Sequence, residues 1–299
     1  MKKLSQFKNP ASRERYFEAY ETAMAQCPAP DAVHNVETRF GTTRVYRFGQ
    51  GDAPPIVLLP GLSCTSACWA PLLPALAARH PVYTVDTLGE PGASVQTAPL
   101  TDVADEVSWL ADVLERLGLT GIHLVGGSAG GWHATNYAIH RPDRLASVTL
   151  LEPTTVTAGY AKAFLWYGLP AAVVNRDWLW RRFMRWAAGE DVLDRPAVRL
   201  ILTGIRTFKA SGIPPQTCPA DDDLRSIRVP MLAVFGERAV VQDSSAAAAR
   251  LQRLLPHAEV ELWPDYGHRL YLDESDAGRI TTRVLGFVRQ PSSGGRLPR

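Results

Sequence analysis

The chain has 299 residues, room for one large α/β domain with an insertion. Hydrophobic residues make up 46% and charged residues 21%, the balance of a soluble globular protein. A net charge of +2 gives no electrostatic basis for binding nucleic acid or an anionic membrane, and no stretch is long and apolar enough to span a bilayer.

The basic start, Met1-Lys2-Lys3-Leu4-Ser5-Gln6-Phe7, lacks the apolar core of a secretory signal, so a cytoplasmic location is expected. There the cysteines Cys27, Cys64, Cys68 and Cys218 would be reduced, and their spacing contains no zinc-type pair. No metal is expected. Residues 1–30 form an N-terminal helical segment. Its helix, about 10–27, carries Tyr16, Phe17, Tyr20 and Met24 at helical spacing and is expected to lie on the outside of the core. Strands at 33–40 and 43–48 follow, joined at Gly41-Thr42.

Ile56-Val57-Leu58-Leu59 is a continuous apolar run, the pattern of a strand buried on both faces. It ends in Pro60-Gly61-Leu62-Ser63. A helix with Trp69, Leu72, Leu73 and Leu76 leads to a strand at 82–85 and then to the turn-rich loop 86–94. In that loop Asp86 is expected to bond local backbone. A helix over 101–117 precedes Ile122-His123-Leu124-Val125-Gly126-Gly127-Ser128-Ala129-Gly130-Gly131, a short apolar strand running into a glycine-flanked serine and then a helix to about 140. This is the G-x-S-x-G elbow, which lifts a serine hydroxyl to the top of a sheet. Side chains at Gly126 or Gly130 would collide with the neighbouring strand or helix. The helix N-terminus and the Ala129 amide aim at the place where an oxyanion would develop.

A strand at 145–151 ends in Glu152-Pro153. From 154 to 221 the alternation of strand and helix stops, and an aromatic-rich segment with Phe164, Trp166, Tyr167, Trp178, Trp180 and Phe183 takes its place. An insertion at this point is expected to be a helical lid over the carboxyl edge of the sheet. Alternation resumes with strands at 231–235 and 260–263 and helices at 244–255 and 275–289. The core therefore comprises 31–153 and 222–290, and the tail 291–299 is expected to be disordered.

A serine hydroxyl needs a base to take its proton. Of the seven histidines, only His268 follows the last strand at the sheet end where Ser128 emerges, which makes it the expected general base.

The whole pattern resembles the α/β-hydrolase fold family. Pro60-Gly61-Leu62, Asp86 to Ser94, Gly126 to Gly130 and Gly267-His268 carry the likeness. Thr38-Arg39-Phe40-Gly41-Thr42, Asp86-Thr87-Leu88-Gly89-Glu90-Pro91-Gly92 and Asp222-Asp223-Leu224-Arg225 narrow it to bacterial carboxylesterases of the arylpropionate (naproxen-type) group, over about 16–287. The resemblance implies a mostly parallel eight-stranded sheet with helices on both faces and an inserted lid. It implies hydrolysis of a small carboxylic ester through Ser128 and His268 without a cofactor. The oxyanion donors would be the amides of Leu62 and Ala129. Gly127, Trp132, Phe164 and Trp166 are the expected substrate-contacting residues, and the assembly is expected to be a monomer or homodimer.

The chain departs from the family pattern at three positions. Pro60 and Gly127 each stand where histidine is common. More consequentially, the carboxylate usual after the seventh strand is replaced by Ala239. Candidate substitutes for this triad acid are Glu152 first, as in haloalkane dehalogenases, then Asp243 and Glu237. Asp243 is also a natural N-cap for the following helix. Rival readings are an acyltransferase or thioesterase of a biosynthetic pathway, and a ligand-binding or non-hydrolytic homologue, the last motivated by Ala239. Epoxide and haloalkane hydrolysis would need aspartate in place of Ser128.

Overall fold

A computed structural model of the chain describes residues 3–190, 192–264, 266–269, 272 and 274–289; the tail at 291–299 lies outside the described residues. Two antiparallel strands, β1 (Ala32–Thr38) and β2 (Gly41–Phe48), form a hairpin in which Thr38 pairs with Gly41. Gly41 adopts φ +139°, and a Cβ there would stand 2.1 Å from the Val95 carbonyl oxygen, so the position requires glycine. Six strands then run parallel to one another: β3 (Ile56–Leu59), β4 (Val82–Val85), β5 (Ile122–Gly127), β6 (Leu145–Leu151), β7 (Met231–Gly236) and β8 (Glu259–Trp263). Their order across the sheet is β8-β7-β6-β5-β3-β4-β2-β1, and the short Val95–Gln96 strand adds to β2 as a ninth. The eight longer strands are those expected from the sequence.

Helices α1 (Pro10–Met24), α2 (Leu73–Ala77), α3 (Val103–Arg116) and α4 (Ala129–His140) precede the insertion. The insertion holds α5 (Lys162–Val174), α6 (Asp177–Ala188) and α7 (Pro196–Thr207). After it come α8 (Asp221–Ser226), α9 (Ser244–Leu254) and α10 (Glu274–Val288). Among the described residues no helix is long and apolar enough to cross a membrane.

Because β3 and β5 are buried along their whole length, their side chains feed two cores by simple alternation. Ile56 and Leu58 enter the core that holds Tyr16, Trp69, Leu72 and Ile280, while Val57 and Leu59 enter the one that holds Trp109, Leu124, Trp132 and Phe235. The chain leaves β3 for β4 and then crosses back to β5, which pairs with β3 on its other side. At such a reversal the connections diverge and leave a crevice at the carboxyl ends of the strands.

The N-terminal helix is more deeply built in than its sequence pattern indicates. Tyr16 is fully buried and lies against Gly204 of α7, where an added Cβ would meet the Tyr16 ring at 3.1 Å. Ahead of α1, the Gln6–Phe7 strand pairs with Phe208–Lys209 at the end of α7. The start of the chain is thus tied to the insertion. Asp86 organises the same side: it accepts from Ala93 N (2.9 Å) in its own loop, and also from the Tyr20 hydroxyl (2.7 Å), Ser66 N (2.9 Å) and Ser66 Oγ (2.8 Å). The insertion has a small core of its own, in which Phe183, Met184, Val198 and Leu202 meet Val241 from the loop after β7.

Candidate active site

The turn between β5 and α4 is forced by close packing. A Cβ on Gly126 would lie 2.2 Å from the Gly130 carbonyl oxygen, and one on Gly130 would lie 2.0 Å from that of Leu59. Between them Ser128 takes φ +51° and ψ −118°, a conformation costly for a residue with a side chain. Its own backbone is pinned, with Ser128 N donating to Leu151 O (3.0 Å) and Ser128 O accepting from Gly131 N (2.9 Å) and Thr154 N (3.2 Å). Ser128 Oγ stands 2.9 Å from His268 Nε2, so the two residues singled out in the sequence are brought into hydrogen-bond contact. Ala129 opens α4, where the first N–H groups have no intrahelical acceptor and the helix dipole is positive.

Both residues line a cavity of about 530 Å³. Its walls are mainly apolar and come largely from the insertion, with Phe164, Leu169, Phe183, Met184 and Ile201 among them. Leu62 and Ser63 contribute from the loop after β3. That loop turns tightly, with Cys64 N donating to Gly61 O (3.0 Å) and Ser63 at φ +57°. Ser63 N donates to Glu90 Oε2 (3.2 Å), so a buried carboxyl group braces the loop that carries Leu62. Glu90 was not singled out by sequence reasoning. Its one signal is its place in the turn-rich loop after β4, at the same sheet edge.

The four expected substrate-contacting residues separate. Phe164 lines the cavity, on the face of α5 that also presents Gly168 and Ala172 at four-residue spacing. Trp166 does not; it lies on the outward face and is 75% exposed. That expectation is corrected by helix phase. Trp132 is buried in the core, donates from Nε1 to Thr217 O (2.8 Å), and reaches only a smaller neighbouring cavity. Gly127 is buried at the end of β5 and contributes no wall.

The three carboxylates considered for the acid are also distinguished. Glu237 and Asp243 are both exposed, and Asp243 caps α9 by accepting from Ala246 N (2.9 Å). Glu152 is fully buried at φ +48°, immediately after β6. Its Oε2 accepts from Gly236 N, and its Oε1 accepts from Ser244 Oγ (2.6 Å) and Gln242 Nε2 (3.4 Å). Burial pushes its carboxyl up to about 7, opposed by those bonds. The expected direct bond from Glu152 to His268 is not made in this geometry. His268 Nδ1 is buried and has no hydrogen-bond partner among the described residues. With no negative neighbour to offset it among the described residues, burial pushes the imidazole down to about 4. The reason lies in the loop after β7, whose Gly236 amide and Ser244 hydroxyl, with Gln242 more weakly, claim the glutamate oxygens. Glu152 nevertheless sits close to the chain leading to His268: a Cβ on Gly236 would lie 3.0 Å from Glu152 Oε2 and 2.4 Å from the Tyr266 carbonyl oxygen.

Among the described residues no group of three or more His, Cys, Asp and Glu is disposed to hold a metal ion. Carboxylesterase YbfK of Bacillus subtilis is 30% identical to this chain over 292 residues, covering 95% of the chain and 96% of that protein. The crystal structure of carboxylesterase CesB (YbfK) from the same organism is similar with a TM-score of 0.85 at 29% identity, over 96% of this chain and all of that one (100%). The structure of naproxen esterase (carboxylesterase NP) from Bacillus subtilis likewise gives 0.85 at 28% identity, over 94% and 99%. The sequence model of the alpha/beta hydrolase family matches residues 56–280, and with this elbow, strand order and likeness the chain belongs to that family.

Proposed function

We propose that the protein is a carboxylesterase that cleaves small esters with an apolar or aromatic part through an acyl-serine. The observation that carries this reading is the 2.9 Å contact between Ser128 Oγ and His268 Nε2 on the wall of an apolar cavity. In it, His268 takes the hydroxyl proton as Ser128 attacks the ester carbonyl. The amides of Leu62 and Ala129 stabilise the tetrahedral oxyanion, each such donor being worth roughly 10²–10³ in rate. Collapse expels the alcohol, which receives the proton from His268. Water, activated by the same imidazole, then releases the acid.

Glu152 enters this reading as a positioning residue. It holds Gly236 and Ser244 together beneath the loop that carries His268, and so acts on the imidazole through backbone rather than by a bond to Nδ1. The apolar walls favour a substrate whose acyl or alcohol part is hydrocarbon, and the likeness to a naproxen esterase supports an aromatic group there.

Initial rates on p-nitrophenyl esters of increasing chain length, with and without competing alcohol and amine acceptors, test the reading. Hydrolysis to free acid that persists in the presence of acceptors supports an esterase. Products formed mainly on the acceptor would make it an acyltransferase. Binding of esters with no release of p-nitrophenol would make it a non-hydrolytic member of the family.

A further inference from the structure

Next to the catalytic cavity lies a second one of about 200 Å³, and the two share Leu62, Glu90, Tyr160 and Ile213 as walls. The smaller one differs in character, because two acidic side chains and a histidine face it. Glu106 of α3 is 6% exposed, and its Oε2 has no hydrogen-bond partner among the described residues. His133 Nδ1 of α4 stands 3.4 Å from it. Glu90, 8% exposed, faces the same space from the loop after β4. The remaining walls include Trp132, Tyr160, Leu88 and Ile213.

We propose that this side cavity is a subsite for a primary ammonium group carried on the substrate, with Glu106 as its principal partner and Glu90 as the second. The inference rests on the esterase reading only for the words "on the substrate"; the cation site itself stands on the cavity.

A buried, unpartnered carboxyl oxygen at a cavity wall calls for a donor, since leaving it unpaired forfeits the hydration it had in the unfolded chain. The pocket suppresses charge on Glu106, Glu90 and His133. Burial pushes Glu106 up to about 8, with Glu90 adding repulsion, and pushes Glu90 up to about 7 and His133 down to about 4. The contact between Glu106 and His133 is therefore one of neutral groups and not an ion pair. An arriving cation reverses that penalty by favouring the ionised carboxylates. An anion would raise that penalty further, and a hydrocarbon would leave Glu106 Oε2 unsatisfied. Aromatic walls such as Trp132 and Tyr160 suit an organic cation. In this proposal one arm of an ester held at Ser128 passes Leu62, which borders both cavities.

The test uses isosteric pairs in which a terminal methyl is replaced by ammonium: p-nitrophenyl heptanoate against 6-aminohexanoate, and nonanoate against 8-aminooctanoate. The wild-type protein should favour the ammonium member of at least one pair in kcat/KM by tenfold or more. Glu106→Gln should lower that preference at least tenfold, and Glu106→Asp should retain part of it. In parallel, calorimetric titration with n-hexylammonium chloride, with 1-hexanol as control, should detect binding that Glu106→Gln weakens at least tenfold. This second measurement needs no turnover. If the esters are cleaved but the ammonium group confers no preference and hexylammonium binding is indifferent to Glu106, the subsite is refuted and the esterase reading stands. If hexylammonium binds through Glu106 while no ester is cleaved, the subsite stands and the esterase reading falls. Should Glu106→Gln fail to fold, Glu106→Asp and the wild-type comparison of hexylammonium with hexanol decide the matter.

Discussion

His268 Nε2 meets Ser128 Oγ at 2.9 Å across 140 residues of sequence, while the opposite ring nitrogen, Nδ1, is buried with no hydrogen-bond partner among the described residues. This asymmetry sets the first prediction. Burial holds the imidazole at about 4, below the ordinary histidine value of 6.5. The base works only when neutral, so kcat/KM should fall as pH drops through about 4 and stay level from pH 6 to 8. A steady-state pH profile checks this. An acid limb near 7 would mean that a carboxylate reaches Nδ1 in the working enzyme.

The second prediction concerns Glu152. If it acts by holding Gly236 and Ser244, Glu152→Gln should lower kcat less than tenfold and leave the acid limb of the profile where it is. Glu152→Ala would strand the Gly236 amide and the Ser244 hydroxyl in a buried site, at about 1–3 kcal/mol for each unsatisfied group. Thermal melts and kinetics on the two variants separate the effects. A loss of roughly 10³–10⁴ in kcat for a well-folded Glu152→Gln would instead be the signature of a triad acid.

How much of this arrangement the sequence discloses varies with the range of the interactions concerned. The buried strands, the elbow and His268 were legible because each depends on local pattern: an uninterrupted apolar run, glycines where a Cβ would collide, a histidine just past the last strand. Glu152 was legible as a carboxylate at the right edge but not in its partners, which come from 84 to 92 residues away. Trp166 was misassigned because α5 is apolar on every side, so spacing alone does not tell which face meets the cavity. Its exposed Trp166, Val173 and Val174, none of which lines the cavity, illustrate the point. Glu106 is concealed differently. A glutamate in the first turn of a helix usually faces solvent and favours the dipole, and only the packing of α3 on α4 buries it.

The two aromatic residues of α5 offer a direct test of the wall assignment. Phe164 faces the cavity and stacks on Tyr160 at 4.2 Å between ring centroids, whereas Trp166 faces outward. Phe164→Ala should reduce kcat/KM for apolar esters by roughly tenfold, equivalent to about 1.4 kcal/mol. Trp166→Ala should change it less than twofold. Equal effects of the two substitutions would show that the insertion sits differently over the site during turnover.

Glu106 gives a stability prediction with a definite sign. Its folded carboxyl is raised from 4.5 to about 8, so its contribution is fully present below the unfolded value and is lost as pH rises through about 8. Glu106→Gln removes the ionisation. The melting temperature of the variant relative to wild type should therefore become more favourable between pH 5 and pH 9, by an amount reflecting a few kcal/mol. A difference that is flat with pH would show that Glu106 is not held neutral by its surroundings.

The central claim, that Ser128 is a nucleophile activated by His268, is met most directly by labelling with a fluorophosphonate and mapping the modified peptide by mass spectrometry. The adduct should fall on Ser128 in the wild-type protein, be absent from Ser128→Ala, and form far more slowly in His268→Ala. Labelling at another residue, or full ester turnover by Ser128→Ala, would contradict the account.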